Sequence, residues 1–185
     1  VLEVYFKLQF TVTYQPGIKG TFAEQSTGSL DYGVATPAAP DAAKNHAPGY
    51  TFAGWSPDWT NTVTNDVTYV AQWTPNSNTA YKVEYYYQQM DGKYPTDADA
   101  TDDRAGTTDT TASLTDADKV PGSDGVEGKS YALDRVVDNQ TIAGDGSTVL
   151  EVYFKLQFTV TYEPGDHGTF SPDTNSGLGY GAATP

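Results

Sequence analysis

The stretch Val1–Tyr14 reads VLEVYFKLQFTVTY, and it alternates without a fault. Leu2, Val4, Phe6, Leu8, Phe10, Val12 and Tyr14 fall on one face, and Glu3, Lys7, Gln9, Thr11 and Thr13 on the other. A period of two is the signature of a half-buried β-strand. At ~3.3 Å per residue the fourteen residues would span roughly 45 Å, too long for a single strand of a small domain. The stretch is therefore read as two strands run together, the last of one module and the first of the next. It contains no Gly or Pro, so no flexible hinge is written there, and Pro16-Gly17 makes the first turn.

The same fourteen letters return at Val149–Tyr162. The match continues as QPGIKGTF against EPGDHGTF and LDYGVATP against LGYGAATP, with a spacing of 148 residues and no insertion. Of 37 aligned positions, 25 are identical. A fixed period of this length, holding more than one module, marks a tandem array. Identity breaks down at Ala23–Ser29 against Ser171–Gly177, small and polar stretches that read as a change-tolerant loop.

Composition narrows the function classes. The chain has 14 Tyr, one Met and no Cys, and lacks long helical patterns. Aromatic and β-branched residues suit pleated, half-buried surfaces. Without Cys there is no disulfide framework, thiolate catalysis or cysteine-ligated zinc. The formal net charge is −14, with three Lys and six acids in residues 1–78 and six bases and fourteen acids in 79–148. Such a surface offers no basic patch for nucleic acid and is repelled by anionic membranes. No signal peptide, membrane-spanning run or anchor motif is visible, so the chain is expected to be a window on a longer protein.

Thr74–Thr79, TPNSNT, is a compact polar break. The expected layout is residues 1–8 as the last strand of a preceding module, 9–75 and 79–157 as two complete modules, and 158–185 as the truncated start of the next. In the first module, Phe10–Tyr14 and Gly20–Phe22 are expected to pair as a hairpin. A Pro-rich crossover with at most one helical turn at Asp41–Asn45 follows, then strands at Tyr50–Trp55 and Val67–Trp73. In the second, Tyr81–Gln89 runs into an Asp91-Gly92 hairpin turn. A short helix over Ser113–Val120 and strands at Tyr131–Val137 and Val149–Phe158 complete it. The fold class is β-rich α+β: tandem small β-grasp-like modules in an elongated repeat array.

The segment GYTFAGW at Gly49–Trp55, followed by VTYVAQW at Val67–Trp73, resembles the Listeria–Bacteroides repeat of internalin-type surface proteins. Tyr81–Tyr87, the Asp91-Gly92 turn and the closing DGSTVLEVYFKL resemble the mucin-binding-protein repeat, and the Asp-rich insertion departs from that pattern. The resemblance implies extracellular display on a Gram-positive bacterium, cell-wall anchoring through a region outside this segment, and a non-catalytic stalk or spacer for adhesion. Its partners are then neighbouring repeats of the same chain. The alternative is a direct binding module for host mucin, glycans or another cell surface.

Few residues offer chemistry. His46 and His167 have no convergent base, and His167 aligns with Lys19, so neither suggests a catalytic or metal role. No catalytic residue, cofactor or metal ligand is assigned. Asp97, Asp99, Asp102 and Asp103 lie in TDADATDD, whose opening copies a calcium loop. The required Gly and the twelfth-position Glu are missing, so a solvated, mobile acidic loop is expected. Trp55 and Trp73 sit in strand patterns and belong to the core. Trp59, in the loop SPDW, and Tyr86, on the opposite face from Tyr85 and Tyr87, are the two candidates for exposed ligand contact.

Overall fold

Apolar alternation closes into a sheet wherever a strand finds partners on both edges. The computed structural model describes residues 1–185, and they divide into two compact units. The first comprises Val1–Thr79 together with Thr107–Asp109 and Ala143–Asp145. Its strands are β1 (Gln9–Gln15), β2 (Gln25–Asp31), β3 (Tyr50–Ser56) and β4 (Val67–Pro75). They form a mixed sheet in the order β2-β1-β4-β3. β1 lies parallel to β4, with Val12 opposite Val67 and Tyr14 opposite Tyr69. The two outer pairings are antiparallel.

The inward alternation delivers Val12, Tyr14, Tyr69 and Ala71 to a core that Phe22, Ala42 and Val63 complete. Phe52, Trp55 and Trp73 pack against it, as their strand positions lead one to expect. Trp55 meets Tyr14, Phe22 and Phe52 edge-on at 5.1, 6.0 and 5.3 Å between ring centroids. The crossover holds one helical turn, with Lys44 N and Asn45 N donating to Asp41 O and Ala42 O. At the Pro16-Gly17 turn, Gly17 has φ of 64°, and a Cβ there would sit 2.4 Å from the Ala71 carbonyl oxygen. Only glycine satisfies both demands.

One expected pairing is wrong. β1 pairs not with Gly20–Phe22 but with β2, which covers most of the stretch read as a tolerant loop. Gly20 makes only an isolated bridge to His46. β2 is an edge strand whose first five residues are exposed, so backbone hydrogen bonds hold it and no apolar alternation is written into it. That explains how a polar, variable segment can be a strand.

The second unit comprises Ala80–Gly106, Thr110–Ile142 and Gly146–Pro185. It is built from β5 (Thr79–Tyr87), β6 (Ala100–Gly106), β7 (Thr111–Ala112), β8 (Ser130–Val137), β9 (Gln140–Thr141), β10 (Val149–Tyr162) and β11 (Asp173–Gly179). β10 is parallel to β5 and antiparallel to β8, so the local order is β6-β5-β10-β8. This repeats the order of the first sheet: second, first, last, third, with first and last parallel at the centre. Val83, Tyr87, Ala112, Leu114, Ile142, Leu150, Val152 and Phe154 form the core.

Two further expectations need correction. Asp91-Gly92 is a turn, with Gly92 N donating to Gln89 O at 2.9 Å, but it does not close a tight hairpin. Residues 88–99 separate β5 from β6. The expected helix at Ser113–Val120 shrinks to a single 3₁₀ turn at Ala117–Lys119, because the Asp118 carboxylate binds back to Thr115 N and Oγ1 and to Arg104. The structure is β-rich with almost no helix, and its sheets are mixed.

Candidate functional site

The feature that organises the second unit is β10 itself. Its first half, Val149–Phe154, is hydrogen-bonded to β5, and Glu151–Gln157 to β8. Its second half, Gln157–Tyr162, pairs antiparallel with β11 in the register that β1 and β2 use, with the same irregularity between Phe158 and Val160. The fourteen residues are one unbroken strand, paired with β5 and β8 along its first part and with β11 along the rest.

Alternation along β10 sends Leu150, Val152, Phe154 and Leu156 inward, all at 0% exposure. Burying each is worth about 1.5–3 kcal/mol, so the four together contribute roughly 6–12 kcal/mol, comparable to the entire stability of a small domain. The same letters at Val1–Leu8 are not strand, and Leu2, Val4, Phe6 and Leu8 are 93, 68, 95 and 70% exposed.

The outer face of β10 carries a second device. Tyr86 of β5, Tyr153 of β10 and Arg135 of β8 lie in register across three adjacent strands. Tyr86 and Tyr153 stack at 4.7 Å, and the Arg135 guanidinium lies 3.5 Å over the Tyr153 ring. Tyr94 meets Tyr153 edge-on at 5.0 Å and donates to Asp134 at 3.0 Å. The Tyr86 hydroxyl donates to Glu84 at 2.7 Å, and this bond, with burial, raises its pKa. Tyr86 was expected to be exposed. It is 8% exposed, because Tyr153 covers its ring, and so it offers no platform for a ligand. Sequence reading missed this ladder because cross-strand register is not written in any one strand.

A third cluster locks the far side of the core. The Arg104 guanidinium forks onto both carboxylate oxygens of Asp118, at 3.0 and 2.5 Å, and Tyr85 donates to the same carboxylate at 2.9 Å. Arg104, opposing the cost of burial, holds the Asp118 carboxyl well below the usual carboxylate range. Burial, then the bond to Asp118, pushes the Tyr85 hydroxyl up to about 12.

Trp59 is 42% exposed, and its indole N–H donates to the Tyr14 hydroxyl at 2.9 Å. Tyr14 in turn donates to Pro37 O at 2.7 Å, and burial raises its pKa. Trp59 thus anchors its loop to the core while leaving one edge in solvent. A cavity of about 280 Å³ lies under this loop, lined by Thr36, Thr60, Thr62, Asn65 and Tyr69 among others, but not by Trp59.

The acidic segment is partly strand, since β6 begins at Ala100. Asp99 accepts from Tyr87 N at 2.7 Å and Asp102 from Arg104 at 2.8 Å. These carboxylates serve backbone and guanidinium partners, and no group of three metal-binding side chains converges. His46 Nδ1 lies 2.9 Å from Ala47 O and its ring packs on Trp73. His167 is exposed. No helix is long and apolar enough to cross a membrane.

No protein-family model and no curated protein matches the chain. A solved structure of Streptococcal High Identity Repeats in Tandem (SHIRT) domains 3-4 from a cell surface protein is similar over 80% of this chain and 97% of that one. Identity is 18% and the TM-score 0.29, so the functional reading rests on this chain's own residues.

Proposed function

We propose that this chain is a non-catalytic repeat segment of a large bacterial cell-surface protein, a stalk or spacer built from tandem β-grasp-like modules. The observation that supports the reading is β10, a Gly- and Pro-free strand of fourteen residues that pairs with β5 and β8 along its first part and with β11 along the rest. Modules joined through a common strand cannot swivel at that joint, which is what a spacer needs. In this reading residues 1–8 close the module before 9–75, 79–157 is the second complete module, and 158–185 opens a third. The GYTFAGW and VTYVAQW segments, now β3 and β4, support kinship with Listeria–Bacteroides repeats. The anchoring region and any adhesive tip lie outside this segment, and the Gram-positive cell wall is the surface the repeat type suits.

Small-angle scattering of a chain of two consecutive 148-residue units tests the reading. An elongated profile whose maximum dimension grows linearly with unit number is expected, and a compact profile overturns it. Direct glycan or mucin binding is not favoured by the aromatics, since Tyr86 is covered and Trp59 is tied to Tyr14.

A further inference from the structure

The Asp91-Gly92 turn sits where β10 passes from one set of neighbours to the next. The β5 ladder ends at Phe154, opposite Tyr87, and the β8 ladder ends at Gln157, opposite Ser130. Pairing with β11 begins at the same Gln157, opposite Gly179. Gln88 ties the turn to this stretch of β10. Its N donates to Phe154 O at 2.9 Å, its side-chain carbonyl accepts from Leu156 N at 3.1 Å, and its side-chain amide donates to Gly92 O at 2.8 Å. The turn is also closed on itself: Gly92 N donates to Gln89 O at 2.9 Å, and Gln89 N to Lys93 O at 2.8 Å.

What the turn presents is bare backbone. Gly92 has φ of 80°, and a Cβ there would stand 2.4 Å from Cδ1 of Tyr180. The Tyr180 ring therefore lies directly against the glycine, and only a residue without a side chain lets it come so close. Tyr180 follows β11, in a turn where Ala182 N donates to Gly179 O at 3.1 Å. Tyr32 holds the same place in the first repeat copy, after β2, in a turn where Val34 N donates to Asp31 O at 3.4 Å. Tyr32 is not among the side chains of the first unit's core, so the ring is not needed to build the module that carries it. We propose that the Asp91-Gly92 turn is a docking surface for the following repeat of the same chain, that the Tyr180 ring is the group it receives, and that this contact sets the bend between successive repeats. The inference rests on reading 158–185 as the opening of the next repeat. Continuity of β10 opposes rotation about the joint, whereas a ribbon bends out of its own plane, and a contact off the strand axis fixes that angle. A tyrosine ring supplies large, rigid contact area at low conformational-entropy cost.

The test uses the full chain, unsubstituted or carrying Tyr180→Ala or Tyr180→Phe, with residual dipolar couplings measured for the amides of Thr79–Tyr87, Ser130–Val137 and Asp173–Gly179. In the unsubstituted chain and in Tyr180→Phe the three strands should share one alignment. In Tyr180→Ala the couplings of Asp173–Gly179 should shrink and depart from it, while amide protection in all three strands stays unchanged. A Tyr180→Ala chain that keeps the common alignment overturns the inference and leaves the shared strand as the whole joint. Tyr180→Phe as loose as Tyr180→Ala also overturns it, since the turn receives the ring and not the hydroxyl. Lost protection along Asp173–Gly179 in Tyr180→Ala overturns it too, by making the ring a folding residue of its own hairpin. If Asp173–Gly179 moves independently in the unsubstituted chain, the inference and the shared-strand reading fall together.

Discussion

Phe154 and Phe6 are the same residue in the same eight-residue context, so replacing each with Ala isolates the contribution of tertiary surroundings. Phe154 is fully buried, its ring 5.0 Å from that of Tyr87, and the segment around it is hydrogen-bonded on both edges. Truncating such a side chain costs about 3–5 kcal/mol through lost transfer energy and the cavity left behind. Phe6 is 95% exposed, and a surface truncation stays within roughly 0.5 kcal/mol. Amide exchange along Thr79–Tyr87 reads the stability of the second module locally, which avoids assuming a single transition for a two-unit chain. At about 1.4 kcal/mol per decade, Phe154→Ala should lower protection there by roughly two to three and a half decades. Phe6→Ala should leave it unchanged. If Phe154→Ala lowers protection by less than tenfold, β10 does not close the core and the shared-strand argument fails. Equal losses in the two variants would show that Val1–Leu8 is already buried in solution.

Asp118→Asn should destabilise the second module by about 3 kcal/mol, the lower end for breaking a buried pair, and urea denaturation followed at Tyr85 reads it. The Asp118 carboxyl titrates lower in the folded state than its unfolded value near 3.9, so its contribution is full above about pH 5 and fades as pH falls below about 4. The native module should show that acid loss, and Asp118→Asn should flatten it. Tyr85 has the opposite sign: with its folded pKa pushed up to about 12, its contribution is full below about pH 10 and is lost as pH rises through 12. Trp59→Phe should cost about 1 kcal/mol in the first module by removing the N–H donor to Tyr14, measured by thermal unfolding. Gly20→Ala should destabilise the same module by more than 1 kcal/mol, since its Cβ would stand 2.2 Å from the Pro16 carbonyl oxygen; an unchanged melting temperature would contradict that geometry.

Much of the fold was legible because the core strands are amphipathic. β4 and the two halves of β10 carry clear alternation, β3 and β8 were placed as strands without it, and the run of two strands into one was inferred from its length. What escaped was held by backbone or by pairwise register. β2 has mostly exposed side chains, so no pattern marks it. β6 lies inside an acidic run that reads as solvated loop, yet its Arg104 reaches the buried Asp118. Tyr86 alternates away from the core and reads as exposed, and only its registration against Tyr153 buries it.

The sequence by itself determined that VLEVYFKL is a strand-forming ribbon with one apolar face, that it occurs twice, and that no hinge interrupts its run into QFTVTY. It did not show which backbones would flank the ribbon. Alternation sets which side chains would face inward, whereas a β-strand exists only when neighbouring backbones accept its hydrogen bonds and neighbouring side chains cover its face. For Val149–Leu156, β5 and β8 supply both, so its place in the core belongs to tertiary structure.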